Sequence, residues 1–194
     1  MDLKLLAWGR AAARRLGPGA MPMLWLFTDS DRLADPRAAA ARLPKGLAGV
    51  VLRHDSHPDR AAIGRDLARI CRMRHLALVV AGDVRLAASL GAGVHLRGGR
   101  WPGPLRRRGI VTSSAHSRLD LRRAARSGAS LAFLSPAFAT ASHPGATGLG
   151  ACRWAALARR AGLPVAALGG LSGSSVRRLP RSLCFGAGAI GALA

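Results

Sequence analysis

The chain contains no Glu, Gln, Asn or Tyr, and all nine of its acidic residues are Asp. Of its 30 basic residues only Lys4 and Lys45 are lysines; the rest are Arg. The formal charge is therefore +21, which points toward polyanions. The aromatic content argues against nucleic acid as a specific partner. Four Phe, four Trp and no Tyr supply no platform on which bases could stack. Ala, Gly, Arg and Pro abound, the signature of a GC-rich coding sequence, so much of the Arg reads as drift on solvated faces. Cys71, Cys152 and Cys184 are odd in number and far apart, with no CxxC pair. That signals neither a disulfide framework nor a zinc site and fits packed thiols in a reducing cytoplasm. The His residues are scattered, with no HExxH. No apolar run approaches the ~20 residues that span a bilayer, so no membrane association is expected. The start carries Asp2 and only a short apolar run, which predicts an N-terminal helix or arm over residues 1–22, not a secretory signal.

What is present is apolar and alternating. With 49% apolar residues the chain suits a single domain with a sizeable core, placed over residues 23–194. Strand candidates are LWLFT (24–28), GVVLR (49–53), LALVV (76–80), GVHL (93–96), GIVTS (109–113), LAFLS (131–135), PVAALG (164–169) and LCFGAGAIG (183–191). Most are continuous apolar runs, which suit parallel strands buried on both faces. Helical stretches alternate with them. DPRAAAARL starts with Asp35 as cap and Pro36 in the first turn. HPDRAAIGRDLARICRMR, DVRLAASL, SRLDLRRAARSG and GACRWAALARRAG follow, and Gly91, Gly128 and Gly162 stand where helix C-caps belong. Eight βα units in succession predict a compact α/β (β/α)8 TIM barrel. The chain ends right after the eighth strand, without a last helix, so the N-terminal helix or a partner subunit is expected to cover that strand.

Barrel active sites sit at the C-terminal ends of the strands. Those ends carry Thr28, Asp29, Arg53, His54, Asp55, Asp83, Arg97 to Arg100, Ser113, Ser114, His116, Ser135, Gly169 and Gly170. ALGGLSGSS after the seventh strand and FGAGAIG at the eighth offer backbone N–H groups that a phosphate can approach closely. His116 reads as a rim residue hydrogen-bonded to backbone, and His95 as a packed barrel residue.

These segments, in this order and spacing, resemble the thiamine-phosphate synthase/TenI-like family over roughly residues 23–194. LVVAGDVRLAASLGAGVHLRGGR is similar to the family's I-N-D…G-A-D-G-V-H-L-G-Q-x-D. VTSSAHS is similar to G-x-S-x-H, SPAFATASH to G-P-x-F-x-T-x-T-K, and LPVAALGG to I-P-V-x-A-I-G-G. The resemblance implies condensation of a pyrimidine-methyl diphosphate with a thiazole phosphate, giving thiamine phosphate and pyrophosphate, with Mg²⁺ as cofactor. It implies diphosphate contacts for Arg53 and Ser114 and a metal ligand at Asp83. Thr140, Ser142 and Gly170 match thiazole-phosphate contacts, with Gly169 beside them, and His143 stands where the family has Lys. The implied partners are the two small phosphorylated substrates and a second subunit in a homodimer.

The departures are directional. The second metal-binding Asp of the family falls at Arg100. One carboxylate beside a guanidinium makes a poor Mg²⁺ site, because the ion takes oxygen ligands in octahedral geometry. Arg100 could instead bind the diphosphate in a bidentate fashion. Two other readings stand beside the synthase. One is a TenI-like thiazole tautomerase with a His proton shuttle near the end of the sixth strand, and the other is a non-catalytic phosphate-ligand binding homologue.

Overall fold

The computed structural model describes residues 1–17, 21–102, 109–140 and 147–194. Eight parallel strands close into a barrel in sequence order. They are β1 (Leu24–Phe27), β2 (Ala48–Leu52), β3 (Ala77–Ala81), β4 (Gly93–Leu96), β5 (Val111–Ala115), β6 (Leu131–Leu134), β7 (Val165–Leu168) and β8 (Cys184–Ala189). Each strand candidate overlaps an observed strand. The α-helices are α1 (Leu3–Leu16), α2 (Pro36–Arg42), α3 (Arg60–Arg74), α4 (Val84–Leu90), α5 (Arg118–Arg126) and α6 (Gly150–Ala158).

The apolar runs are continuous because alternate residues serve two cores. Leu24, Leu26, Val50, Leu52 and Val80 point outward into the layer beneath the helices. Trp25, Phe27, Val51, Val79, Leu131, Phe133 and Ala166 fill the lumen. Trp25 and Phe27 each meet Phe133 edge to face, at 5.6 and 4.8 Å between centroids. Gly49 makes room for this packing, since a Cβ there would lie 2.6 Å from the Trp25 ring. The lumen is thus a packed plug, and ligands are confined to the rim above it.

Local signals set the helix ends. Asp35 accepts from the N–H groups of Arg37 and Ala38 at the start of α2, and Ser117 accepts from Asp120 at the start of α5. Gly91 closes α4 in the left-handed region. His75 does the same for α3, a cap that a search for glycines overlooks.

Two βα units differ from the expectation of eight. Among the described residues no α-helix lies between β4 and β5. Between β7 and β8 there is only a 3₁₀ turn, Val176–Arg178. After β8 comes a second 3₁₀ turn, Gly191–Leu193. The flank of β8 is covered by α1. Its Leu5, Leu6, Trp8 and Ala12 are buried, and Gly9 lets it close onto Leu24 of β1. The Asp2 N–H donates to Ala192 O at 2.8 Å, and the Asp2 carboxylate accepts from Gly173 N–H at 2.7 Å. Asp2 therefore caps α1 and ties it to the loop after β7. Among the described residues no helix is long and apolar enough to cross a membrane.

Candidate functional site at the barrel rim

The rim has two unlike sides. Over the ends of β1 to β4 lies a lattice of guanidinium and carboxylate groups. Asp29 accepts from Arg32 at 2.6 Å and lies 3.8 Å from Arg53. The Arg32 hydrogen bond, more than any other contact, holds the Asp29 carboxyl below the usual carboxylate range. Arg60, on the first turn of α3, reaches across two strand ends. Its Nε donates to Arg53 O at 2.8 Å and its Nη2 to Ala81 O at 2.6 Å. Its guanidinium also lies 3.3 Å from Asp55 and 3.5 Å from Asp83. Arg97, more exposed, pairs with Asp55 at 2.5 Å.

Arg97 also opens a tight turn, Arg97-Gly98-Gly99-Arg100, closed by Arg100 N–H to Arg97 O at 3.1 Å. Gly98 and Gly99 both have positive φ, as this hairpin geometry requires. A Cβ on Gly99 would strike the backbone of Ala124 at 2.5 Å, so the turn seats directly on α5. Two serines of β5 pin it: Ser114 Oγ accepts from Gly98 N–H at 3.1 Å and Ser113 Oγ from Gly99 N–H at 3.0 Å.

The opposite side, after β6 to β8, is built mainly from backbone. Gly169 and Gly170 both have positive φ. A Cβ on Gly170 would lie 2.3 Å from Ala139 O, so only glycine fits there. Ser172 and Ser175 lock the following turn by reciprocal side chain to backbone bonds of 2.9 and 3.2 Å. Arg178 supplies a cation at this side, stacked 5.0 Å over the Phe138 ring.

Three histidines differ sharply in setting. His95 sits inside the barrel, 2.8 Å from Thr112 Oγ1 and edge to face with Phe27. Burial, aided by the charges of Arg53 and Arg97, pushes its pKa down to about 3, so it is neutral. His54 is buried in a left-handed conformation (φ 40°), 2.9 Å from Thr28 Oγ1. Burial, then the neighbouring His57, lowers its pKa. His116 is exposed, its Nδ1 lying 3.0 Å from Ser135 O and 3.2 Å from Ser135 Oγ.

The structure thus gathers Arg53, Asp83 and Arg100 on one side of the rim, with Ser114 beneath the turn that carries Arg100. Thr140, Gly169 and Gly170 stand on the other. Ser142 and His143 lie outside the described residues. Arg60 and Arg178 escaped sequence reasoning. The signal for Arg60 was its place in the first turn of a helix following a strand, which the barrel puts at the rim.

The donor set does not fit Mg²⁺. Asp83 Oδ1 accepts from Leu86 N–H at 2.9 Å as the cap of α4, and Oδ2 faces Arg60. The neighbouring carboxylate, Asp55, is held between Arg60 and Arg97. Among the described residues no three His, Cys or Asp side chains come together as a metal site.

A profile of the family described as thiamine monophosphate synthase matches residues 24–193. A thiamine-phosphate synthase of Thiobacillus denitrificans is 33% identical over 177 residues, 85% of this chain and 82% of that protein. Among solved structures, the fold is similar to a thiamine phosphate pyrophosphorylase of Pyrococcus furiosus. That likeness has a TM-score of 0.71 at 22% identity and covers 87% of this chain and 85% of that one. A second such pyrophosphorylase, from Bacteroides thetaiotaomicron, gives a TM-score of 0.62 at 19% identity and covers 89% and 84% of the two chains.

Proposed function

The chain belongs to the thiamine monophosphate synthase family, and from that premise we propose that it condenses a pyrimidine-methyl diphosphate with a thiazole phosphate. The products are thiamine phosphate and pyrophosphate. The observation that carries this reading is the presence of two anion-compatible sides on one rim. In a ring of eight strands β3 lies opposite β7, so the arginine lattice faces the glycine turn across the mouth. Two phosphorylated substrates can be held there head to head, each by its own side.

In this reading Arg53, Arg97 and Arg100 hold the diphosphate. The bond between the pyrimidine methylene and the diphosphate oxygen breaks, and its electron pair leaves on the oxygen. Guanidinium groups stabilise that developing charge. The thiazole nitrogen then donates its lone pair to the methylene cation and forms the new C–N bond. Gly169, Gly170 and Arg178 fix the thiazole phosphate so that the nitrogen faces the methylene, and Thr140, Ser142 and His143 are assigned to that same phosphate. Ser114 acts at one remove, by holding the Gly98–Gly99 turn. Mg²⁺, where a family member holds it, would neutralise the same leaving charge; no step here passes through it.

The test is pyrophosphate release by purified protein given both substrates. Release is expected, and no release with or without Mg²⁺ would exclude the transferase.

A tautomerase is the second reading, favoured by the exposed His116 beside Ser135. Proton exchange at a thiazole phosphate, followed by NMR without the pyrimidine substrate and lost in His116→Gln, would select it.

A further inference from the structure

We infer that the rim over β2 to β4 binds a diphosphate without a divalent cation, through a preset guanidinium lattice in which Arg60 is the positioning residue and Arg97 faces the anion. This rests on the reading above that a diphosphate binds on that side.

The hard oxygen atoms gathered there are the carboxylates of Asp55 and Asp83 and the carbonyls of Arg53 and Ala81. One cation already contacts all four: the Arg60 side chain, at 2.6 to 3.5 Å. It is only 15% exposed, so these contacts are less screened than surface pairs. A guanidinium keeps its charge throughout the accessible pH range. Admitting a metal there would require the Arg60 guanidinium to give up its bonds to two carbonyls and its contacts to two carboxylates. Arg60 thus holds the place among these oxygens that a divalent ion would need.

The same lattice leaves donors for a ligand. Arg97 is 58% exposed and engages Asp55 through one nitrogen. Arg53 is 41% exposed and approaches Asp29 through one nitrogen. Each guanidinium carries five N–H donors, so several remain on both. Gly82 admits the Arg97 side chain, since a Cβ there would come within 3.0 Å of its Nε. Asp55 orients Arg97, and Arg60 fixes Asp55. Paired guanidinium groups match a diphosphate through bidentate hydrogen bonds.

Calorimetry with inorganic pyrophosphate tests this on the intact chain, once in EDTA and once in Mg²⁺. We expect affinities within about threefold of each other, and at least a tenfold loss in Arg97→Ala. In Arg60→Gln, affinity in EDTA is expected to fall at least tenfold and to recover in Mg²⁺, a change of metal dependence that a purely structural role would not produce. Wild-type binding that appears only with Mg²⁺ overturns the inference and leaves the diphosphate reading standing. Equal affinity of Arg60→Gln in both buffers removes Arg60 from the account. Absence of wild-type binding in either buffer overturns the diphosphate reading, and the inference with it.

Discussion

The two sides of the rim are built from different material. Over β2 to β4 the rim presents side chains, Arg53, Arg60 and Arg97 among them. There Gly82 and Arg100 stand where the resemblance implies an Asn and a second metal-binding Asp. Over β7 the surface is largely main chain, and Gly169-Gly170 matches the Gly-Gly that the resemblance implies. Backbone N–H groups are the same whatever the side chain, so substitution elsewhere on the rim leaves them intact. Carboxylates are not protected in this way. The difference teaches that a side-chain site changes its charge with each substitution, whereas a backbone site changes only where its packing does.

The largest effect is expected where the backbone site meets its own packing. Gly170→Ala places a methyl group 2.3 Å from Ala139 O at a positive φ. It should cost at least about 2 kcal/mol in urea unfolding and abolish thiazole-phosphate binding seen by calorimetry. Unchanged affinity in the folded variant would break the contrast, because the glycine side would then not be a phosphate site.

On the opposite side, Arg53→Ala should weaken pyrophosphate binding by roughly 10- to 100-fold, the range for hydrogen bonds to charged groups. Thiazole-phosphate affinity should stay within twofold. Equal losses for both ligands would merge the two sides into one.

His95 lies beneath both sides and reports on the plug. It is neutral in the folded protein and gains a proton more readily when unfolded, because its pKa falls from an ordinary 6.5 to about 3. The unfolded state therefore binds more protons between these values, and stability falls as pH drops through that window, by up to about 1.4 kcal/mol per pH unit. In His95→Leu this part of the slope should vanish. An identical slope in urea midpoints from pH 6.5 to 4.5 would show that His95 is not the titrating group.

A smaller effect is expected at the N-terminus. Asp2→Ala removes the cap of α1 and its tie to Gly173, and should cost about 1 kcal/mol. If thiazole-phosphate affinity falls too, α1 supports the glycine side from behind.

The barrel was legible because its signals are local. Two-sided burial gives unbroken apolar runs such as LAFL. The caps Asp35, Ser117 and Gly91 act within their own turns. Between β7 and β8, where the repeat predicts a helix, a short 3₁₀ turn after Ser175 suffices to link the strands. The site was legible in its location and less so in its wiring. Arg60 meets Asp83 only through the barrel, 23 positions along the chain. The guanidinium that lies beside Asp83 belongs to Arg60, which no motif in the sequence singles out. His54 reads as a rim group, yet it turns inward to Thr28 and leaves the rim to Arg53.

The central claim is that one rim offers two separate anion sites, one built from arginine side chains and one largely from backbone. Calorimetry with pyrophosphate and thiazole phosphate, titrated singly and then each in the presence of the other, tests it directly. Two 1:1 isotherms that persist when the other ligand is saturating are the expected result. Displacement of either ligand by the other would contradict the claim.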